Sequence, residues 1–100
     1  MDRTVIYSFR EMKRRIKPFA KKYGVKKVYL FGSYAKGHAN KDSDVDLFIE
    51  KGKIRTLLEL SGFKTDMEKA LSKKVDVLTS TGIDDEFVHL IENEMQLIYE

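Results

Sequence analysis

Val28-Tyr29-Leu30-Phe31-Gly32-Ser33 is followed, after ten residues, by Asp44-Val45-Asp46-Leu47-Phe48-Ile49. Each half contains a short apolar, β-branched or aromatic run of the kind that forms a strand. The first run, residues 28–31, is stopped by Gly32-Ser33, and the second, residues 45–49, is closed by Gly52. Between them, residues 37–43 are polar and turn-rich, and residues 34–37 allow a single helical turn. Asp44 and Asp46 are two apart, so on extended backbone both carboxylates project to one side while Val45 and Leu47 turn to the other, into a core.

The rest of the chain is arranged around this pair of strands. Upstream, Ile6, Phe9, Met12, Ile16, Phe19 and Tyr23 step by three or four, the spacing of one helix face. Pro18 predicts a kink or break near Lys17, and Gly24 a stop just past the last turn. Downstream, Leu57, Leu58, Leu60, Phe63, Met67, Ala70 and Leu71 predict a helix over 54–72, with Ser61-Gly62 as an interruption. Val75-Asp76-Val77-Leu78 reads as a third strand. Phe87, Val88, Leu90 and Ile91 mark a last helix, followed by a short strand at 97–99. The order α-β-(turn)-β-α-β-α-(β) makes one α/β (α+β) domain over residues 1–100, a small mixed β-sheet flanked by helices.

Composition narrows the function classes. An apolar fraction of 42% with 35% charged residues belongs to a folded globular protein. No apolar run approaches the roughly 20 residues of a membrane-spanning helix, and Met1-Asp2-Arg3-Thr4 lacks the layout of a secretory signal. With no cysteine there is neither a disulfide framework nor a thiolate metal site, and a cytoplasmic location is the simplest expectation. The net charge of +3 is unevenly spread: residues 1–27 carry a balance of +8, the remainder −5. The plainest reading of the basic segment is a solvated helix face; an acidic protein surface or nucleic acid is the alternative.

The chemistry is expected at Asp44, Asp46 and Asp76. Two carboxylates side by side repel each other and resist burial, and a divalent cation removes both objections. Mg²⁺ suits them, being held by one or two carboxylates together with substrate phosphates. Asp76, alone between Val75 and Val77, faces the same ion if its strand lies beside the second one. An EF-hand is excluded, because its glycine and glutamate positions hold Leu47 and Lys53. At the Gly32-Ser33 turn, a backbone without a side chain, free N–H groups and a hydroxyl can hold phosphate oxygens, with Lys36 adding charge. A Walker A loop is excluded, since His38-Ala39 replaces its Lys and Ser/Thr. His38 and His89 are read as surface or turn residues.

Gly32-Ser33, ten residues, then Asp44-Val45-Asp46 resembles the signature of the nucleotidyltransferase superfamily that includes DNA polymerase beta. The surrounding text, residues 31–37 and 42–47, is similar to the minimal nucleotidyltransferases of prokaryotes, and the likeness runs over nearly the whole chain. It implies the polymerase-beta-like fold, ATP as substrate, Gly32 and Ser33 holding the triphosphate, and Asp44 and Asp46 binding two Mg²⁺ ions. Asp76 would share one ion and help deprotonate the attacking hydroxyl. Members often carry Arg where this chain has Lys36, which keeps the charge but loses bidentate phosphate contacts. Minimal members further resemble antitoxins that transfer AMP to a tyrosine of a HEPN ribonuclease toxin. The basic N-terminal helix, or Tyr7, Tyr23 and Tyr29, would then meet that partner. The alternatives are a binding antitoxin without catalysis, or nucleotidyl transfer to RNA or a small molecule.

Overall fold

The computed structural model describes residues 6–79 and 94–100. Helix α1 (Phe9–Tyr23) starts at Ser8, whose hydroxyl accepts from the Glu11 N–H, and ends at Gly24 in the left-handed conformation. Strands β1 (Lys27–Phe31) and β2 (Val45–Glu50) follow, then helix α2 (Leu57–Leu71), β3 (Val75–Thr79) and β4 (Gln96–Tyr99). The sheet order is β3-β2-β1-β4. β1 is antiparallel to both β2 and β4, and β2 runs parallel to β3, so the sheet is mixed as expected. The expected helix at Phe87–Ile91, with His89, lies outside the described residues. Among the described residues no helix is long and apolar enough to cross a membrane.

Both helices lie on one face of the sheet. Met12, Ile16 and Ala20 of α1 and Phe63, Met67 and Leu71 of α2 are wholly buried against Val28, Leu30, Val45, Leu47, Ile49 and Val75. α1 packs toward β4 and α2 toward β3. Alternation along β2 sends Val45, Leu47 and Ile49 into this core and Asp46 and Phe48 to the opposite face, where Phe48 meets Tyr29 edge to face.

α1 is continuous through Pro18, so of the expected kink or break the break does not occur. Other expectations are corrected. α2 runs unbroken through Ser61-Gly62; a side chain at Gly62 would stand 3.0 Å from the Tyr23 hydroxyl, so the glycine makes room for packing between the helices. Ile6, Phe9, Leu57 and Leu58 are exposed. At 3.6 residues per turn, Leu57 and Leu58 fall about 120° and 140° from Phe63 on opposite flanks, off the buried line. Ahead of α1 it is Tyr7 that turns inward, its hydroxyl donating to the Leu71 carbonyl at 2.7 Å. Tyr7 is thereby withdrawn from any partner surface. Finally, residues 34–37 form hydrogen-bonded turns and no helix.

Tyr23 is also engaged internally. Its hydroxyl donates to Asp66 Oδ2 at 2.6 Å, and its ring meets Phe63 edge to face. That hydrogen bond first, and the Lys22 ammonium second, hold the Asp66 carboxyl below the usual carboxylate range. A carboxylate whose pKa is lower folded than unfolded stabilises the fold above its unfolded pKa, and the contribution is lost as pH falls through the folded value. Tyr23→Phe is expected to lower the melting temperature by a few degrees at neutral pH. It should also flatten the decline between pH 5 and pH 3, as read by thermal melts across that range.

Candidate active site

The sheet brings two of the three aspartates side by side. Asp46 of β2 is the register partner of Asp76 of β3, on neighbouring parallel strands. Parallel neighbours point their side chains to the same face, about 4.8 Å apart. The Asp46 carboxyl is pushed above the ordinary carboxylate range, first by burial, then by the negative charges of Asp76 and Asp44, and by a hydrogen bond with Asp76. Asp44 precedes the first residue of β2 and is exposed, so it stands at the strand's mouth and not within the strand as expected.

On the other side of Asp46 is β1, whose last residue, Phe31, is its antiparallel partner. The chain then turns at Gly32, with φ +73°, directly over the carboxylate. A Cβ at Gly32 would lie 2.4 Å from Asp46 Oδ2, so any side chain there would have to displace the carboxylate. The turn is closed by Lys36 N–H on the Gly32 carbonyl (3.1 Å) and His38 N–H on the Ser33 carbonyl (2.9 Å). The N–H groups of Ser33, Tyr34 and Ala35 make no hydrogen bond among the described residues, which leaves donors at the start of the turn. Ser33 is half-buried beside Gly32. Lys36 is exposed, and its ammonium lies 3.2 Å from Glu94 Oε2. The expected cation is therefore engaged by a carboxylate on the approach to β4.

Two residues escaped sequence reasoning. Gln96 donates from Nε2 to the Ala35 carbonyl at 2.6 Å and ties the Gly32–Gly37 turn to β4. Lys73 is only 8% exposed, and its ammonium donates to the Lys41 carbonyl at 3.0 Å, pinning the loop that delivers Asp44. That loop is also internally bonded: the Asn40 N–H donates to the Ser43 hydroxyl, and the Asp42 N–H to the Asn40 side chain. No local pattern announces contacts made across 61 and 32 residues of chain.

The donor set fits a hard divalent cation. Carboxylates gathered around a partly buried Asp46, whose own proton affinity their charges raise, offer oxygen ligands and an excess of negative charge. Among the described residues no three Asp, Glu or His side chains are gathered closely enough to enclose an ion by themselves. A site of one or two carboxylates finished by phosphate oxygens and water is the way Mg²⁺ is held where it serves a nucleotide.

Residues 14–100 match the family described as Polymerase beta, Nucleotidyltransferase. The chain is 44% identical over 73 residues to a Methanocaldococcus jannaschii protein provisionally named a protein adenylyltransferase, covering 73% of this chain and 78% of that one. It is 31% identical over 67 residues to the protein adenylyltransferase MntA of Thermococcus cleftensis, covering 67% and 68%. A solved structure provisionally named a minimal nucleotidyltransferase superposes with a TM-score of 0.78 at 27% identity, over 90% of this chain and 95% of that one. A chain from the complex of a tri-AMPylated Shewanella oneidensis HEPN toxin with an MNT antitoxin superposes with a TM-score of 0.70. At 14% identity, over 91% and 71% of the two chains, that likeness is one of fold alone.

Proposed function

The chain belongs to the polymerase beta nucleotidyltransferase family, and from that premise we propose that it is a Mg²⁺-dependent protein adenylyltransferase, the antitoxin that transfers AMP from ATP to a tyrosine of a HEPN-type toxin. The observation that carries the reading is the Asp46–Asp76 register pair with Gly32 turning directly over Asp46, where the backbone approaches the carboxylate more closely than a Cβ would allow without displacing it. The relatives named protein adenylyltransferases support the reaction. The AMP-bearing HEPN toxin seen with a protein of the same fold supports the acceptor.

In this reading the triphosphate lies along the turn, its oxygens taken by the N–H groups of Ser33 and Tyr34 and by the Ser33 hydroxyl. Lys36 reaches the phosphates only by leaving Glu94, so it is a weaker phosphate ligand than its position in the motif suggests. Asp44, Asp46 and Asp76 would hold two Mg²⁺ ions, which supply charge neutralisation at the phosphates and lower the pKa of the acceptor hydroxyl. The tyrosine oxygen attacks the α-phosphorus in line. The bond from that phosphorus to the bridging oxygen breaks, and pyrophosphate leaves. The phenolic proton passes to Asp76 and from there to water. The chain's task is positioning, with no covalent intermediate on the protein.

The test is intact-mass measurement after incubation with candidate HEPN-type toxins from the same organism, Mg²⁺ and each nucleoside triphosphate in turn. One or more AMP adducts on the partner with ATP, absent with Asp44→Ala/Asp46→Ala, are expected. Stable complex formation by wild type and variant alike, with no adduct from any nucleotide, would overturn the enzymatic reading in favour of neutralisation by contact.

A further inference from the structure

The basic face of α1 is left unused by the site just described. Lys13, Lys17 and Lys21 are four residues apart, so they stack in one row about 12 Å long on the helix, with Arg10 beside the start of it. All four are exposed, and none forms an ion pair among the described residues. Like charges at this spacing destabilise a helix slightly. Arg14 and Arg15, by contrast, both pair with Glu11 within the helix.

The row does not face open solvent alone. Lys13, Lys17 and Lys21 form one wall of a trough whose other wall is Leu97, Ile98, Tyr99 and Glu100, and Phe9 with Arg10 extends it past Ile98. β4 is an edge strand, and its outer side has no strand partner among the described residues. Such an edge pairs readily with an extended segment of another chain. The trough thus offers backbone donors and acceptors, aliphatic side chains and a line of cations, with Glu100 as its single acid. A row of 12 Å spans about four residues of extended peptide. The two rings along the trough, Phe9 and Tyr99, lie at its margins and not between the lysines, where a nucleic acid would stack its bases, and the Lys13 ammonium lies 5.5 Å from the Phe9 ring.

Resting on the adenylyltransferase reading, we propose that this trough is where the acceptor protein docks, by an extended, acidic and partly apolar segment laid along β4 with its carboxylates on Lys13, Lys17 and Lys21. Through Gln96 on Ala35 and Glu94 on Lys36, the start of the same strand touches the nucleotide turn. Docking therefore sets an acceptor beside the site without using any residue of it.

The experiment compares wild type with Lys13→Glu/Lys17→Glu/Lys21→Glu and with the milder Lys→Gln triple, using a HEPN-type toxin that binds the wild-type chain as acceptor. For the Glu triple, KM for the acceptor is expected to rise roughly tenfold or more, with less dependence on salt. kcat and the calorimetric Kd for Mg²⁺–AMP-PNP should stay as they were. An alternating Glu-Leu peptide of about ten residues should inhibit the wild type and not the variants. An unchanged acceptor KM in both triples would overturn the proposal. So would failure of the peptide where single-stranded RNA competes, which would make the trough a nucleic-acid surface. If wild type modifies nothing, titration of the acceptor protein still decides: binding lost in the triples keeps the docking surface while the transferase reading fails.

Discussion

Asp46→Asn is expected to lower nucleotidyl transfer by at least about 10³-fold in kcat/KM, and yet to raise the melting temperature of the metal-free protein. Both effects have one cause. The Asp46 carboxyl is partly buried and lies beside Asp76, so its charged form is disfavoured and its pKa is raised. A carboxyl whose pKa is higher folded than unfolded costs stability at neutral pH, and the cost is relieved as pH falls through the folded value. Asparagine keeps the shape and removes the charge, so the neutral-pH cost disappears and the melting point rises by a few degrees. With Mg²⁺–ATP the order reverses, because only the wild type holds the ligand and gains stability from it. Thermal melts with and without Mg²⁺–ATP, alongside the transfer assay, read all three quantities. A lower metal-free melting point for Asp46→Asn would show instead that the carboxylate is a structural partner within the sheet.

Gly32→Ala is expected to be nearly as damaging to transfer, and to destabilise as well. Its added methyl would meet Asp46 Oδ2 at 2.4 Å, and its φ of +73° is one that side-chain-bearing residues rarely adopt. Gly37 separates the two effects. It has almost the same φ, +74°, but a Cβ there meets nothing within 4 Å. Gly37→Ala should therefore show the backbone cost alone, about 1 kcal/mol, while Gly32→Ala adds the clash with the carboxylate. The contact is also testable by coupling. In Gly32→Ala/Asp46→Ala the carboxylate is gone, so the double variant should be more stable than the sum of the singles requires. Strict additivity in denaturant unfolding would mean that the turn does not press on Asp46.

Much of this was legible before any coordinates. Each element within the described residues was announced by period or punctuation: the three-and-four stepping of Met12, Ile16 and Phe19, the short runs at 28–31, 45–49 and 75–78, and Gly24 at the end of α1. The errors of burial lie at or just before the first turns of the helices, where Ile6, Phe9, Leu57 and Leu58 look like core by hydropathy but are exposed.

The sequence by itself determined the order of elements among the described residues and the face of β2 on which Asp46 stands, because period and glycine chemistry are local properties of the chain. Only the tertiary structure decided that β3 lies parallel against β2 with Asp76 level with Asp46, that Gly32 sits over that carboxylate, and that Lys36 is taken by Glu94. It also decided that Lys73 holds the loop before Asp44, and that β4 closes the far edge beside the lysines of α1. Strand order and register depend on which distant segments bury each other's apolar faces, and that free energy belongs to pairs of segments far apart in the chain, not to either one alone.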